Sequence, residues 1–543
     1  MTDATRAAPP RVMRPRIRGL AAALACVCLT VLCPLRASAL PPDQISLDLQ
    51  VRLGSLAQAD ADPAARGRSA AVLISDAKLP DLAAEASQKP GYGPVLGPVL
   101  TAPQPRRDAL ALPLRVPAAK APAAEGGRMD VRLALTMLSM THDDEDNFAV
   151  LDAQSDPQRN ALVVKSGEAD LADLVAMLRQ TGLAGQVSGR SLTLKVPLVI
   201  WPGAALRLAR GDEILLSRPD GAFVMNFGSL TAEGAAIRSL GDVNERIRRF
   251  RPFLTTADRG VLILRRSELT GLGFGATTKF AGIAVQRNLL RPTDQPAIIE
   301  SNLFEDVLSV VVQGETGARF TDNRIRDSRG PALVVQGTRG VTISGNLFNG
   351  VQPTNAIRLE QGSAAGVIAA NVILGGERAG ILVRQDSPDV MISGNVVWNR
   401  KGGGITVQHS ACARVEGNLV IGNTQKGIEM RDAPAGRVTA NSVLSNKSAA
   451  LWISNQQPGA ETRIEGNVLA FNGEGFAAGQ GGTLILVNND LTRQYLQFVA
   501  GDLVPMANQL ARDMRGGTEI VLQTGVTTEE AGRTDPTAAE CTQ

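Results

Sequence analysis

An asparagine returns at nearly regular intervals through the second half of the chain, and this repeat restricts the possible folds more than any other feature. The repeating residues are Asn302, Asn323, Asn346, Asn371, Asn395, Asn418, Asn441, Asn467 and Asn489, at spacings of 21 to 26 residues. Such a period is typical of one small supersecondary unit stacked on copies of itself. Short aliphatic alternations precede the asparagines without helical periodicity, so each unit is predicted to consist of short strands and turns.

Short strands joined by two or three tight turns form one coil, and coils stacked at strand spacing form a parallel β-helix. Asparagine tolerates the left-handed turn conformation, and its amide can hydrogen-bond to the asparagine of the next coil. The sequence therefore predicts an all-β fold, a right-handed parallel β-helix with an asparagine ladder, preceded by a small α/β capping subdomain. The ladder itself is interpreted as structural.

The rest of the chain divides by composition. Residues 1–39 have a basic head, an apolar run and a small-residue cleavage site, which predict a signal peptide. Residues 40–128 are rich in Ala and Pro and are predicted to be a linker that folding does not require. Residues 129–190, with a helix between Asp170 and Gly182, are predicted to be the α/β cap. Residues 191–490 are predicted to form the β-helix. Residues 491–543 are predicted to form a helical C-terminal cap followed by a disordered tail.

The predicted cleavage changes the net charge and the number of cysteines of the mature chain. The formal charge of +3 becomes −2 when residues 1–39 leave with six Arg and one Asp, so nucleic acid is not expected as a partner. Export is predicted to place the mature chain in the periplasm or outside the cell, of which the periplasm is preferred, and no transmembrane segment is expected after signal cleavage. Only Cys412 and Cys541 then remain, and the sequence leaves open whether they pair.

Strand alternation predicts which side chains point outward from the coils. The outward column is Gln336, Glu360, Arg384, Gln408, Arg431 and Ser454, and beside it at the strand ends stand Gln361, Gln385, His409 and Asp432. A regular polar strip suits a linear repeating ligand, and its arginines suit an anionic polysaccharide with carboxylates. A solvated sheet face remains the alternative. His409 is the only histidine in the solenoid and is either the catalytic residue or a solvated side chain.

Further segments carry a family resemblance from about Asp130 to the C-terminal region. They are Val-Pro-Leu-Val-Ile at residues 196–200, Gly-Ala-Ala-Leu at 203–206, Phe-Arg-Pro-Phe-Leu at 250–254 and Leu-Gly-Phe-Gly at 272–275, followed by the asparagine-terminated repeats. In these segments the chain resembles the periplasmic mannuronan C5-epimerases of alginate producers. The resemblance implies an exported protein that handles polyuronate chains, inverts C5 of mannuronate within the polymer and works with a periplasmic polysaccharide secretion complex.

One departure from that family concerns the catalytic residues. The family carries an Asp-Pro-His-Asp motif, and repeat alignment places Val334, Val335, Gln336 and Gly337 at its position. No catalytic residue is therefore carried over from the motif. Epimerisation at C5 needs a base, an acid on the opposite face and a cation beside the carboxylate. Here Arg384 or Arg431 would neutralise the carboxylate and His409 would be the base, and we expect no cofactor and no metal.

Three functions are compatible with these features. The first is a polyuronate-modifying enzyme of exopolysaccharide biosynthesis, resembling an epimerase that converts mannuronate to guluronate. The second is a catalytically silent periplasmic scaffold that binds and guides the polysaccharide. The third, a calcium-dependent lyase, is disfavoured because such sites cluster several carboxylates, whereas Glu360 is the only Glu in the outward column.

Overall fold

Three parallel β-sheets build the solenoid, and each coil contributes one short strand to each sheet. The computed structural model describes residues 44–79, 123–139, 145–287, 295–494, 497–524 and 541. The predicted signal peptide at residues 1–39 and much of the predicted linker and tail lie outside these ranges. Consecutive coils pair in parallel register, which confirms the predicted right-handed parallel β-helix.

We name the sheets A, B and C in the order in which the chain enters them. Sheet A contains Glu125–Asp130, Asn160–Ser166, Leu198–Ile200, Val224–Asn226, Leu254–Asp258, Gly282–Arg287, Ser309–Gln313, Leu333–Gln336, Ile357–Glu360, Ile381–Val383, Ile405–Gln408, Ile428–Arg431, Ala449–Ser454, Glu474–Gly479 and Val499–Gly501. Sheet B contains Glu168–Ala169, Ala205–Leu208, Ser229–Glu233, Val261–Arg265, Ile298–Glu300, Arg319–Thr321, Thr342–Ser344, Val367–Ala369, Met391–Ser393, Arg414–Glu416, Gly436–Thr439, Glu461–Glu465, Gly482–Val487 and Ile520–Thr524. Sheet C contains Gly185–Ser188, Ser191–Leu194, Glu213–Ser217, Ala236–Leu240, Glu268–Thr270, Leu303–Glu305, Arg324–Arg326, Leu347–Asn349, Val372–Leu374, Val396–Trp398, Leu419–Ile421, Ser442–Leu444, Val468–Ala470 and Asp490–Arg493.

Helices lie only outside the repeating coils in the described part of the chain. The α-helices are α1 (Gln44–Ala61), α2 (Ala70–Asp76), α3 (Val131–Ser139), α4 (Asn147–Asp152), α5 (Leu171–Thr181) and α6 (Ala507–Ala511). Short 3₁₀ turns are formed by Pro63–Ala65, Thr278–Phe280 and Val504–Met506. None of the described helices combines the length and the apolar character that crossing a membrane requires.

The predicted asparagine ladder is present at the corner between sheets B and C. Asn395 is typical: its Nδ2 donates to Oδ1 of Asn418 at 3.0 Å and to the carbonyl of Ile368 at 2.8 Å. Its backbone N–H donates to the same Asn418 oxygen at 2.9 Å. Both asparagines are fully buried, so each coil satisfies polar groups of the next one and fixes its register.

The N-terminal end of the solenoid core is covered by α5, as predicted. Asp170 caps the helix start through a reciprocal capping box, and Gly182 ends the helix with a φ of 63°. Leu174 and Met177 of α5 join the solenoid core with Leu192. The open end of a β-helix would otherwise expose apolar side chains, so this helix completes the core.

Residues 44–79 differ from the linker that composition predicts. In this segment, which we call the N-terminal strap, α1 and α2 lie on the outer face of sheet C. Leu49, Leu53 and Leu56 of α1 are buried there. The apolar side chains of sheet C that they join are Leu347, Val372, Leu374, Val396, Leu419, Ile421, Leu444, Val468 and Ala470. The strap is ordered because it removes this apolar face from water.

The C-terminal region also departs from the helical cap predicted for residues 491–514. Asp490–Arg493 and Val499–Gly501 are strands, and the helical part is limited to Val504–Met506 and α6. Ile520–Thr524 then pairs antiparallel with Gly482–Val487. An exposed sheet edge has unpaired backbone groups, and this strand satisfies them where a helix could not.

Candidate functional site

The outward column predicted from the repeat is formed on sheet A. Gln336 lies in register with Glu360, and Gln408 lies in register with Arg431 and then Ser454. Arg384 follows the strand Ile381–Val383 and contacts Glu360 of the preceding coil. The structure therefore brings all six predicted side chains into one row across consecutive coils.

Glu360 is the buried centre of this row, with 3% of its surface exposed. Its Oε1 accepts a hydrogen bond from Gln336 Nε2 at 2.9 Å, and its Oε2 lies 2.7 Å from Arg384 Nε. Arg358 Nε lies 3.9 Å from the same Oε2. Both carboxylate oxygens are engaged, so Glu360 is placed to orient its neighbours and not to contact a ligand.

Two arginines therefore share one carboxylate. Burial lowers the pKa of the Arg358 guanidinium against the attraction of Glu360, and the like charge of Arg384 lowers this pKa further. The group carries a net positive charge that favours an anion. Glu360 engages only Nε of Arg384, whose Nη1 and Nη2 have no partner among the described residues. These two nitrogens can bind a ligand carboxylate in a bidentate manner.

The second predicted row lies at the corner where the chain leaves sheet A. Gln361, Gln385, His409 and Asp432 occupy equivalent turn positions, with φ values of 58°, 58°, 48° and 44°. Asp and His are enriched among the residues that adopt this left-handed conformation. The turn backbones hydrogen-bond from coil to coil, as His409 N–H does to the carbonyl of Arg431. The stacked turns thus hold the four side chains in sequence along the corner.

His409 and Asp432 form a hydrogen-bonded pair within this row. Nδ1 of His409 lies 2.6 Å from Oδ2 of Asp432, and Gln457 Nε2 donates to Oδ1 of Asp432 at 3.3 Å. The His409 side chain is 55% exposed. In the neutral imidazole the carboxylate holds the proton on Nδ1, which leaves Nε2 as a proton acceptor. Nε2 has no hydrogen-bond partner in the described part of the chain.

A concavity of about 720 Å³ lies at this corner. It is lined by Gln361, Gln385, Asp386, His409, Asp432 and Gln457, with backbone and small residues between them. We call it the corner groove. It unites two of the predicted substrate-binding residues, Gln385 and Asp432, with the predicted base His409. Arg384 and Arg431 immediately precede those two residues in the chain.

A larger hollow of about 1270 Å³ lies between sheets B and C near the strap. It is lined by many charged side chains, and most of them form ion pairs. Arg66 contacts Glu268, Arg238 contacts Glu213, and Arg266 contacts Glu233. The hollow contains no histidine, and each of its four carboxylates is engaged by an arginine, namely those of Asp212, Glu213, Glu233 and Glu268. We therefore place the candidate site at the corner groove.

A ladder of hydroxyls beneath the corner was not predicted. The backbone N–H groups of Thr338, Ser363 and Ser387 donate to the hydroxyls of Ser363, Ser387 and Ser410 at 3.2 to 3.3 Å. These residues recur with the same period as the asparagines, and that period was the signal that could have revealed them. The ladder supports the turn of His409 from below, because Ser410 is its immediate neighbour.

The pairing of Cys412 and Cys541, which the sequence leaves open, is present as a disulfide with Cα atoms 5.5 Å apart. Cys412 lies three residues beyond His409 on the same turn. The disulfide therefore fixes a residue near the end of the chain beside the corner groove. Among the described residues, no group of three or more His, Cys, Asp and Glu side chains is arranged to hold a metal ion.

Comparisons with known proteins agree with the architecture. A family model described as a right-handed beta helix region matches residues 308–469. The crystal structure of the periplasmic alginate epimerase AlgG is similar with a TM-score of 0.52 and 17% identity, over 71% of this chain and 88% of that chain. A threonine-to-asparagine mutant of AlgG gives a TM-score of 0.50 and 16% identity, over 75% of this chain and 88% of that chain. No curated protein sequence matches significantly. At these identities, what the chain shares with the solved structures is the parallel β-helix fold.

Proposed function

We propose that this chain is an exported protein that binds a linear polyuronate along the row of sheet A and modifies it at the corner groove by epimerisation at C5. The observation that carries the proposal is the His409–Asp432 pair, 2.6 Å apart, in a groove next to the cationic group of Arg384. A base and a carboxylate-binding cation are two of the three requirements of this reaction.

The proposed reaction begins with a uronate carboxylate bound by Arg384 or Arg431. Binding of the carboxylate by a guanidinium stabilises the negative charge that develops when the C5 proton leaves. Nε2 of His409 accepts that proton, and Asp432 stabilises the imidazolium that forms. Water returns a proton to the opposite face of C5, because the described groove offers no tyrosine. The hydroxide that remains takes up the proton held by the imidazolium, which restores neutral His409.

Further observations support a polyuronate as the ligand and the periplasm as the compartment. The AlgG structures that share this fold are those of a periplasmic alginate epimerase. The disulfide between Cys412 and Cys541 is of a kind that persists in oxidising compartments such as the periplasm. The sequence at residues 1–39 is consistent with export to that compartment.

A catalytically silent scaffold is the second candidate function. Val334 and Val335, at the position of the family motif, are buried apolar residues that cannot exchange protons. A chain that had lost its chemistry would still bind the polymer through Arg384, Arg431 and the amides of the row. This candidate predicts that the polymer binds but is not altered.

Proton NMR of polymannuronate incubated with the protein separates the two candidates. We expect guluronate signals with the native chain and none with His409→Gln, whereas binding measured by calorimetry is nearly unchanged in that variant. Asp432→Asn should reduce turnover strongly, because it removes the group that orients the imidazole. Binding without any guluronate in the native chain would identify the scaffold.

The binding half of the proposal has its own test. Exposed ion pairs contribute only about 0–1 kcal/mol each, so several sugars must be engaged together. Affinity should therefore rise with oligomannuronate length and fall steeply with salt. The double variant Arg384→Ala with Arg431→Ala should lose measurable binding. If calorimetric titrations give the native chain and the double variant equal affinities that do not depend on salt, the row of sheet A is not the binding site.

A further inference from the structure

Sheet B carries three arginines in register directly beyond the corner groove. Arg414 pairs with Arg437, and Arg437 pairs with Arg463, on three consecutive coils. Adjacent parallel strands are about 4.8 Å apart, so these like charges are stacked at strand spacing. Like charges directly opposite each other destabilise a sheet. This column was not among the site residues predicted from the sequence.

The middle arginine of the column is the one without compensation. Arg463 Nε contacts Glu465 at 2.8 Å, and its Nη1 lies 3.8 Å from Glu519. Arg437 is exposed and makes no side-chain hydrogen bond or ion pair in the described part of the chain. Glu416 and Glu465 lie on the same face only diagonally to it. Arg437 thus remains an exposed cation between two others.

Arg437 also lies on the coil that carries Asp432. A turn of residues 432–435 separates Arg431, at the end of sheet A, from the strand Gly436–Thr439 of sheet B. Arg431 is likewise exposed and unpaired among the described residues. Asp432 and Pro434 of this turn line the corner groove. One unpaired arginine therefore lies on each sheet, at either end of the turn whose Asp432 and Pro434 line the groove.

We propose that Arg437 is a second carboxylate-binding residue, and that a linear carboxylated polysaccharide lies in the corner groove between Arg431 of sheet A and Arg437 of sheet B. This inference rests on the proposed function for the identity of the ligand. A polymer bound on the flat face of sheet A alone would not contact Arg437. In the corner groove, neighbouring carboxylates engage the two sheets in turn, and one of them neutralises Arg437.

Calorimetric titration of oligomannuronates tests the inference with Arg437→Gln. The matched control is Arg378→Gln, because Arg378 is exposed and unpaired among the described residues but precedes sheet A on the opposite side of the coil. We expect about fivefold weaker binding for Arg437→Gln, near the upper limit for one exposed ion pair, and no change for the control. Native affinity in Arg437→Gln, together with weaker binding in Arg431→Gln, would overturn the inference and leave the proposed function intact.

Two further measurements separate this inference from the proposed function. If the native chain does not bind oligomannuronates, the proposed function fails, and dextran sulfate then serves as the probe. Weaker dextran sulfate binding by Arg437→Gln supports a polyanion site there, and equal binding overturns it. Without ligand at low salt, the melting temperature of Arg437→Gln should rise because repulsion is relieved. A fall in melting temperature would assign Arg437 a structural role and overturn the inference.

Discussion

The outer faces of sheets A and C are built by the same coils from strands of similar length, but their side chains differ. On sheet A the outward positions include Gln336, Arg384 and Arg431, and the row borders an open groove. On sheet C the outward positions of the same coils include Leu347, Val396 and Leu444, and the N-terminal strap covers them.

The difference shows that the repeat does not by itself determine whether the outer face of a sheet is polar or apolar. The coil interior needs only alternate apolar residues, so each outer face is free to be polar or apolar. An apolar face must be covered, whereas a polar face can stay open and bind a ligand. The strap and the corner groove are thus two outcomes of one repeat.

Removal of residues 44–79 should have the largest effect. It would expose the apolar outer face of sheet C over several coils, so we expect aggregation and binding of hydrophobic dyes. Size-exclusion chromatography and dye fluorescence measure the outcome. Composition alone predicts that residues 40–128 are dispensable for folding, and the ordered strap leads us to expect the opposite for residues 44–79. If the shortened protein stays monomeric and its melting temperature is unchanged, the prediction from composition is correct.

A single substitution in the strap should come next. Asp60 and Arg324 form a buried ion pair with 2.7 Å between Oδ1 and Nε, and Asn349 Nδ2 also donates to Asp60 at 3.0 Å. Asp60→Ala leaves the Arg324 charge buried without its partner and should cost about 3–5 kcal/mol. Hydrogen exchange of α1 measures the loosening. The control is Glu377→Ala in the exposed pair with Lys401, where about 0–1 kcal/mol is expected.

The same chemical change on the two faces compares them directly. Leu419→Ala removes a fully buried side chain under the strap and should destabilise the protein by about 2–5 kcal/mol. Leu382→Ala removes a partly exposed side chain from the outer face of sheet A and should cost less than about 1 kcal/mol. Denaturant unfolding of both variants measures the difference. Equal losses would show that sheet A is also covered.

Acid should weaken the strap slightly. Burial alone would raise the pKa of Glu268, but hydrogen bonds from Arg66 of the strap and from Arg238 outweigh burial and lower it. A lowered folded-state pKa contributes stability above the unfolded pKa of about 4.3, and this contribution is lost as the pH falls through the folded value. Hydrogen exchange of residues 63–69, corrected for intrinsic rates, should therefore increase below about pH 4. Glu268→Gln should reduce this dependence without abolishing it, because the contact of Arg66 with Glu305 still responds to acid. The same dependence in both proteins would refute the assignment.

Much of the fold could be predicted because its signal is local and repeated. The asparagine period predicted the coils, the ladder and the row from Gln336 to Ser454, since register follows once the coils are aligned. The strap was not predicted, because α1 carries exposed Leu47 and Val51 besides its buried residues Leu49, Leu53 and Leu56, so the sequence shows no clear apolar face. A signal was nevertheless present in sheet C, where three apolar residues in succession, as in Leu419–Ile421, indicate burial on both faces.

The sequence by itself determined the solenoid and the order of side chains along each face, because a stacked repeat converts sequence spacing directly into height along the axis. Only the tertiary structure decided which of those side chains are free. It buried Glu360 between Gln336 and Arg384, and it joined His409 to Asp432 through two left-handed turns. It also brought the strap onto sheet C from more than 250 residues away, as the Asp60 and Arg324 pair shows. These outcomes depend on contacts between coils and between distant segments, and such contacts have no periodic signature in the sequence.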